Sequence, residues 1–166
     1  MTNRIQEFLR ARRLEGRDIG PCLVVDLDVV RDNYRAFAKA LPDTRVFYAV
    51  KANPAPEVLS LLATLGSCFD TASVAEIEMS LAAGASPDRI SFGNTIKKER
   101  DIARAYALGV RLFAVDCVEE VEKIAVGEFG VGLPGAVGHE NADLVQIEAL
   151  GIGEVAFDLG SVIFEP

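Results

Sequence analysis

Residues 46–66 read VFYAVKANPAPEVLSLLATLG. An apolar run rich in β-formers ends in a lysine at position 51, and a turn carrying Pro54 follows. Beyond the turn, Leu59, Leu62 and Leu65 recur on one helical face, and Gly66 stands where a helix ends on a left-handed residue. The stretch is therefore a strand, a turn and a helix in immediate succession.

The same unit recurs. Apolar segments begin every 22 residues: VVDLDV at 24, VFYAVK at 46, CFDTAS at 68, ISFGNT at 90 and LFAVDC at 112. Helical patterns follow them. Ser73 is placed to cap one helix, with Glu76 as its capping-box partner and Gly84 as its stop. IKKERDIARAYALG is another, stopped at Gly109. Strands alternating with helices imply βαβ units, a parallel sheet and right-handed crossovers that put the helices on one side. The short constant period predicts a parallel (β/α) barrel. The leucine–asparagine ladder of a solenoid is missing, and no GxGxxG or P-loop follows any strand.

Active sites of such barrels form at the C-terminal ends of the strands. The residues closing the five segments are Val29, Lys51, Ser73, Thr95 and Cys117, with Asp28, Asp70, Asn94 and Asp116 close to the same rim. A lysine there has two readings: a strand-end cation reaching water, or an amine held at a pocket mouth, where desolvation favours the neutral form that attacks carbonyls. Lys97 and Lys98 read as surface lysines, and His139, the only histidine, as a loop residue.

Composition narrows the class. The chain has 166 residues, half of them hydrophobic and a quarter charged, as in an ordinary globular protein. Residues 1–125 hold all 17 Lys and Arg and 18 of the 25 acids, whereas 126–166 hold seven acids and no Lys or Arg. That acidic end disfavours nucleic-acid binding. No apolar run approaches the ~20 residues of a membrane span, and the charged start lacks a secretory core, so a cytoplasmic location is expected. Cys22, Cys68 and Cys117 are odd in number and far apart, suggesting neither a zinc site nor a disulfide framework.

VFYAVKANPAPEVLSLLATLGSCFDTASVAEIE, together with ISFGNTIKKERDIARAYALGVRLFAVDCVEEVEKIA, resembles the pyridoxal-phosphate barrel of ornithine decarboxylases. More broadly it is similar to the alanine-racemase-like fold of the lysine, arginine and diaminopimelate decarboxylases. The likeness runs from about Pro21 to Ala125. It implies pyridoxal 5'-phosphate as cofactor, Lys51 as the residue holding it in Schiff-base linkage, Asp70 as an acid beside it and Glu76 as a second acid. Capping is the competing role for Glu76. The implied reaction is decarboxylation of a basic amino acid of the ornithine or lysine type, in polyamine biosynthesis.

The pattern departs after Ala125. Eight of the 14 glycines fall in 126–166, and the family's arginine-bearing strand is absent. VAFDLGS resembles a family strand ending in a histidine and a Gly-Ser turn. Gly160 and Ser161 then match the phosphate contacts, while Asp158 stands in place of the histidine. ADLVQIEALG reads as a short helix opened by Glu140 or Asn141. The expectation is one truncated barrel domain over 1–166, family-like to 125 and divergent beyond. It has about six of eight strands and lacks the family's second, β-rich domain. Decarboxylation is then expected to be impaired. The alternatives are a cofactor-binding protein without decarboxylation and a non-catalytic module that pairs with itself or a full-length relative through the open barrel edge.

Overall fold

A computed structural model describes residues 1–16, 20–129, 146–149, 157–158 and 161–162. They divide into two compact units, residues 1–44 and 45–166.

The first unit holds α1 (Asn3–Leu14) and α2 (Leu27–Ala40). Here the 22-residue period misleads. VVDLDV was expected to be a strand, but Val24 and Val25 are unpaired coil and α2 starts at Leu27, so Val29 lies in a helix rather than on a strand rim. The cause is Asp26. One carboxylate oxygen accepts from the Asp28 amide at 3.1 Å, capping α2, and the other accepts from Thr2 Oγ1 at 2.9 Å.

The second unit carries the repeat. It runs β1 (Phe47–Ala49), α3 (Pro56–Thr64), β2 (Cys68–Thr71), α4 (Val74–Ala82), β3 (Ile90–Phe92), α5 (Glu99–Ala107), β4 (Leu112–Val115), α6 (Val118–Phe129) and β5 (Gln146–Ala149). The five strands form one sheet in sequence order, every pair parallel. Local chemistry sets the helix limits. Pro56 opens α3, where its missing N–H costs nothing. Ser73 Oγ accepts from the Glu76 amide at 3.3 Å while Glu76 Oε2 accepts from the Ala72 amide at 2.7 Å, completing the expected capping box. The stops at Gly66, Gly84 and Gly109 have φ of +90°, +98° and +92°.

Two elements differ from the sequence expectation in the divergent stretch. Residues 146–149 are a strand instead of a helix, with Ile147 in register with Phe113 and Ala149 with Val115. Beside the open edge of a parallel strand, ladder bonds outweigh weak helical periodicity. VAFDLGS is not a further parallel strand: β6 (Phe157–Asp158) pairs antiparallel with β7 (Ser161–Val162) in a separate two-stranded sheet. Glu140, Asn141 and His139 lie outside the described residues.

Burial separates the faces of the sheet. Phe69, Ile90, Phe92, Phe113 and Val115 share one face by register and are at most 2% exposed. They form the core with Leu59, Leu62, Ile77 and Ile102 from the helices. Ala49, Asp70 and Ser91 share the opposite face. Lys97, expected at the surface, is 4% exposed and belongs to the interior.

Phe113→Ala is expected to cost ~3–5 kcal/mol, because it empties an aromatic site with no solvent exposure. Ile96→Ala, at a position 73% exposed, is expected to stay within ~0.5 kcal/mol of the parent. Urea denaturation of the two variants checks the assignment of the core face.

Candidate functional site

The C-terminal ends of the strands carry the polar residues. Lys51 sits in a 3-10 turn, Val50–Ala52, directly after β1 and two residues beyond Ala49. Asp70 pairs in register with Ala49 on the adjacent strand. The turn is tied at both ends. The Tyr48 hydroxyl donates to the Asn53 carbonyl at 3.2 Å, and Asn53 Oδ1 accepts from the Ala55 amide at 3.1 Å. Burial, partly offset by the Asn53 bond, raises the pKa of the Tyr48 phenol above the usual value. The strand end is thus fixed while the Lys51 side chain is exposed.

Asp70 is half-buried. Its carboxyl is pushed above the ordinary aspartate value chiefly by desolvation. The Lys51 charge opposes that shift, and the Glu76 charge adds to it. Lys51 and Asp70 therefore share one electrostatic neighbourhood at the mouth, as their offsets in the repeat require. Glu76 reaches the same neighbourhood from α4, with one oxygen committed to the Ala72 amide.

Gly93 makes room for Asp70. Its amide donates to the Thr71 carbonyl at 2.8 Å, which continues the β2–β3 ladder one residue past Phe92. A Cβ at Gly93 would lie 2.8 Å from Asp70 Cγ and collide with the nearer carboxylate oxygen. The glycine is needed for close approach, since its φ is not in the left-handed range.

Behind the mouth lies a cluster that residue type alone did not disclose. The Lys97 side chain has no solvent exposure. Its Nζ donates to the carbonyls of Asn94 at 2.9 Å, Thr95 at 3.3 Å and Ala114 at 2.5 Å, and lies 3.8 Å from Glu120 Oε2. Glu120 Oε2 also accepts from the Lys97 amide at 3.2 Å, and Lys123 Nζ bonds the other Glu120 oxygen and the Lys97 carbonyl. Burial lowers the pKa of the Lys97 amine, against the pull of Glu120. The signal available in the sequence was the IKK repeat of cations, which does not say which of the two turns inward.

The structure thus brings Lys51 and Asp70 together, with the Gly93 backbone against Asp70 and with Asp116 and Cys117 just past β4. It does not bring Ser161 into their sheet: Ser161 is in β7, opposite Asp158. Gly160 lies outside the described residues. Among the described residues no cluster of His, Cys, Asp and Glu is arranged to hold a metal ion, and no helix is long and apolar enough to cross a membrane.

Comparison with known proteins covers this same region. Residues 27–128 match the family model described as pyridoxal-dependent decarboxylase, pyridoxal binding domain. The chain is 51% identical over 104 residues to the chloroplastic ornithine decarboxylase of Nicotiana glauca, covering 63% of this chain and 24% of that protein. It is 44% identical over 105 residues to the lysine/ornithine decarboxylase of Selenomonas ruminantium, 63% of this chain and 27% of that one. Among solved structures, lysine decarboxylase from Selenomonas ruminantium superposes with a TM-score of 0.66 at 38% identity, over 78% of this chain and 34% of that chain. The lysine/ornithine decarboxylase of Vibrio vulnificus complexed with putrescine gives 0.67 at 32%, over 76% and 34%. The chain spans about a quarter of the length of these curated relatives.

The raised Asp70 value has a signed consequence for stability. Between the unfolded and folded midpoints the folded chain holds a proton that the unfolded chain has released, so stability falls as pH rises through that window. Above it, the ionised carboxylate is a standing cost. Asp70→Asn is therefore expected to be more stable than the parent at neutral pH, with the difference vanishing below about pH 4. Urea midpoints at the two pH values check the sign.

Proposed function

The chain belongs to the pyridoxal-dependent decarboxylase family through its pyridoxal binding domain, and on that premise we propose that it binds pyridoxal 5'-phosphate at Lys51, in the service of decarboxylating a basic amino acid of the ornithine or lysine type. The observation carrying this reading is the placement of Lys51 within electrostatic reach of Asp70 at the C-terminal mouth of the parallel sheet. The residues fit the group. An exposed amine on a fixed turn is open to an aldehyde, and a carboxylate one strand away attends it. Bound pyridoxal phosphate supplies an electron sink for the carbanion left when carbon dioxide departs.

The chain's own residues do the rest. Tyr48 and Asn53 hold the backbone of the Lys51 turn and so fix the point from which its amine would reach the cofactor. Asp70, partly desolvated, stands where a positively charged nitrogen at the mouth would find a counter-charge. Ser161 and Gly160 are proposed as the phosphate contacts. In this reading residues 1–125 are the family-like part of one barrel domain, 126–166 are its divergent end, and the protein works in the cytoplasm.

Decarboxylation by this chain alone is proposed to be impaired, because the parts of its relatives that it does not span make up most of their length. One observation favours a second reading, a module that pairs with another copy or a full-length relative. β1 is the outer strand of the sheet and has only β2 as its partner among the described residues. An unpaired parallel edge is a template for another strand.

Borohydride trapping with pyridoxal phosphate, followed by peptide mapping, tests the binding proposal. Label is expected to concentrate on Lys51, to disappear in Lys51→Ala and to weaken in Ser161→Ala. Lys97 should stay unlabelled because its side chain is buried. Even labelling of the lysines, or labelling unchanged in Lys51→Ala, would remove the site and leave the pairing module.

Carbon dioxide release from ornithine and lysine tests the second half. Losing even one electrostatic stabiliser commonly costs ~100-fold. Turnover by the chain alone is expected at least that far below the ~10 per second typical of enzymes.

A further inference from the structure

The Lys97 cluster lies behind the mouth and has no part in the function proposed above. Its chemistry is unusual for a loop lysine. Three of its partners are backbone carbonyls, two from the turn after β3 and one from β4, and the fourth is a carboxylate on α6. An ammonium has three protons, and three carbonyls satisfy them. With no side-chain exposure, no water competes for them. Glu120, 5% exposed at its side chain, is held in turn by the Lys97 amide and by Lys123. The cluster therefore joins three elements: the β3–α5 turn, the end of β4 and the first turns of α6.

The turn it grips is the one that touches the site. Asn94 and Thr95 follow Gly93 directly, and Gly93 is the residue whose missing side chain admits the Asp70 carboxylate. The Gly93 amide is bonded to Thr71, next to Asp70. Displacement of Asn94 and Thr95 therefore moves the surface against which Asp70 rests. From this chain of contacts we infer that Lys97 is a positioning residue: its buried ammonium holds the Gly93–Thr95 turn against Asp70 and so keeps that carboxylate in place beside Lys51. Lys97 touches neither Asp70 nor the Lys51 turn in any recorded bond, and it acts through the backbone of the turn.

The inference rests on the proposed site for its purpose but not for its test, which uses no cofactor. The Asp70 carboxyl of the full-length chain is titrated by carbon-13 NMR in the parent and in Lys97→Met. A direct effect and a positioning effect have opposite signs. Removing a nearby positive charge raises an aspartate midpoint, whereas releasing the turn admits water to Asp70; desolvation outweighs the Lys51 charge in setting that midpoint, so the net effect of release is to lower it towards the ordinary value.

The expected result is a lowered midpoint in a variant whose circular dichroism and core amide spectrum match the parent. A midpoint that is unchanged or raised in folded Lys97→Met overturns the inference. Should Lys97→Met not fold, Glu120→Gln replaces it. That variant keeps the three carbonyl bonds and loosens only the α6 anchor, so a smaller shift in the same direction is expected, and no shift overturns the inference. Borohydride labelling of the same samples separates the two proposals. Absent labelling at Lys51 in the parent, with the Asp70 shift intact, removes the cofactor site and leaves the positioning role. Labelling at Lys51 with no Asp70 shift does the reverse.

Discussion

A parallel strand cannot be joined to its neighbour by a tight turn, and most of the second unit follows from that constraint. Each strand end must be carried back by a crossover, which from β1 to β4 contains one α-helix, and right-handed crossovers put those helices on one face. Phe69, Ile90, Phe92, Phe113 and Val115 meet them there and vanish from solvent. The other face carries smaller side chains, Cys68, Ser91 and Ala114 among them, and Asp70 can occupy a strand position there that would be too costly under the helices. The same constraint gathers every strand's outgoing turn at one rim. Lys51, Asp70 and Gly93 come from different units of the repeat and still arrive at one mouth.

Charges at that rim are treated in two ways. Lys51 and Asp70 are left partly in water, one on a fixed turn and one on a strand, each free to meet a ligand. Lys97 and Glu120 are withdrawn completely and supplied with bonds. A buried ion pair gains little over an apolar replacement, but deleting one partner strands the other at ~3–5 kcal/mol. Such a cluster is better understood as fixing geometry than as adding stability. What it fixes is backbone, the carbonyls of 94, 95 and 114, which are the groups a side-chain repeat cannot specify.

Much of this was legible in the residues. The strands at 46, 68, 90 and 112 announced themselves because apolar runs, capping residues and stop glycines agreed in one register. The first segment broke the series. VVDLDV has the same apolar pattern, but Asp26 is also an N-cap, and the period count cannot weigh a cap against a strand. Residues 146–149 failed for the opposite reason: their helical pattern was weak, and the decisive partner, β4, is more than thirty residues away in sequence. The inward turn of Lys97 was hidden because Lys97 and Lys98 are the same residue type in a single step of chain. Only the carbonyls around one of them make the difference.

Glu76 shows how one acid is divided between fold and site. Its spacing from Ser73 is that of a capping box, and its spacing from Asp70 puts it one helical turn beyond the strand end. Both relations are realised: one oxygen takes the Ala72 amide, while the charge as a whole still presses the Asp70 carboxyl upward. The cap holds the start of α4 at the same rim, so the acid that builds the mouth also tunes it. Asp70 then sits between two opposed charges, Lys51 drawing its proton off and Glu76 keeping it on, with desolvation tipping the sum. Such a carboxyl changes its protonation when either neighbour changes. A reagent that neutralised Lys51 would remove the one influence lowering the Asp70 midpoint, and the acid would hold its proton more tightly while the amine was engaged.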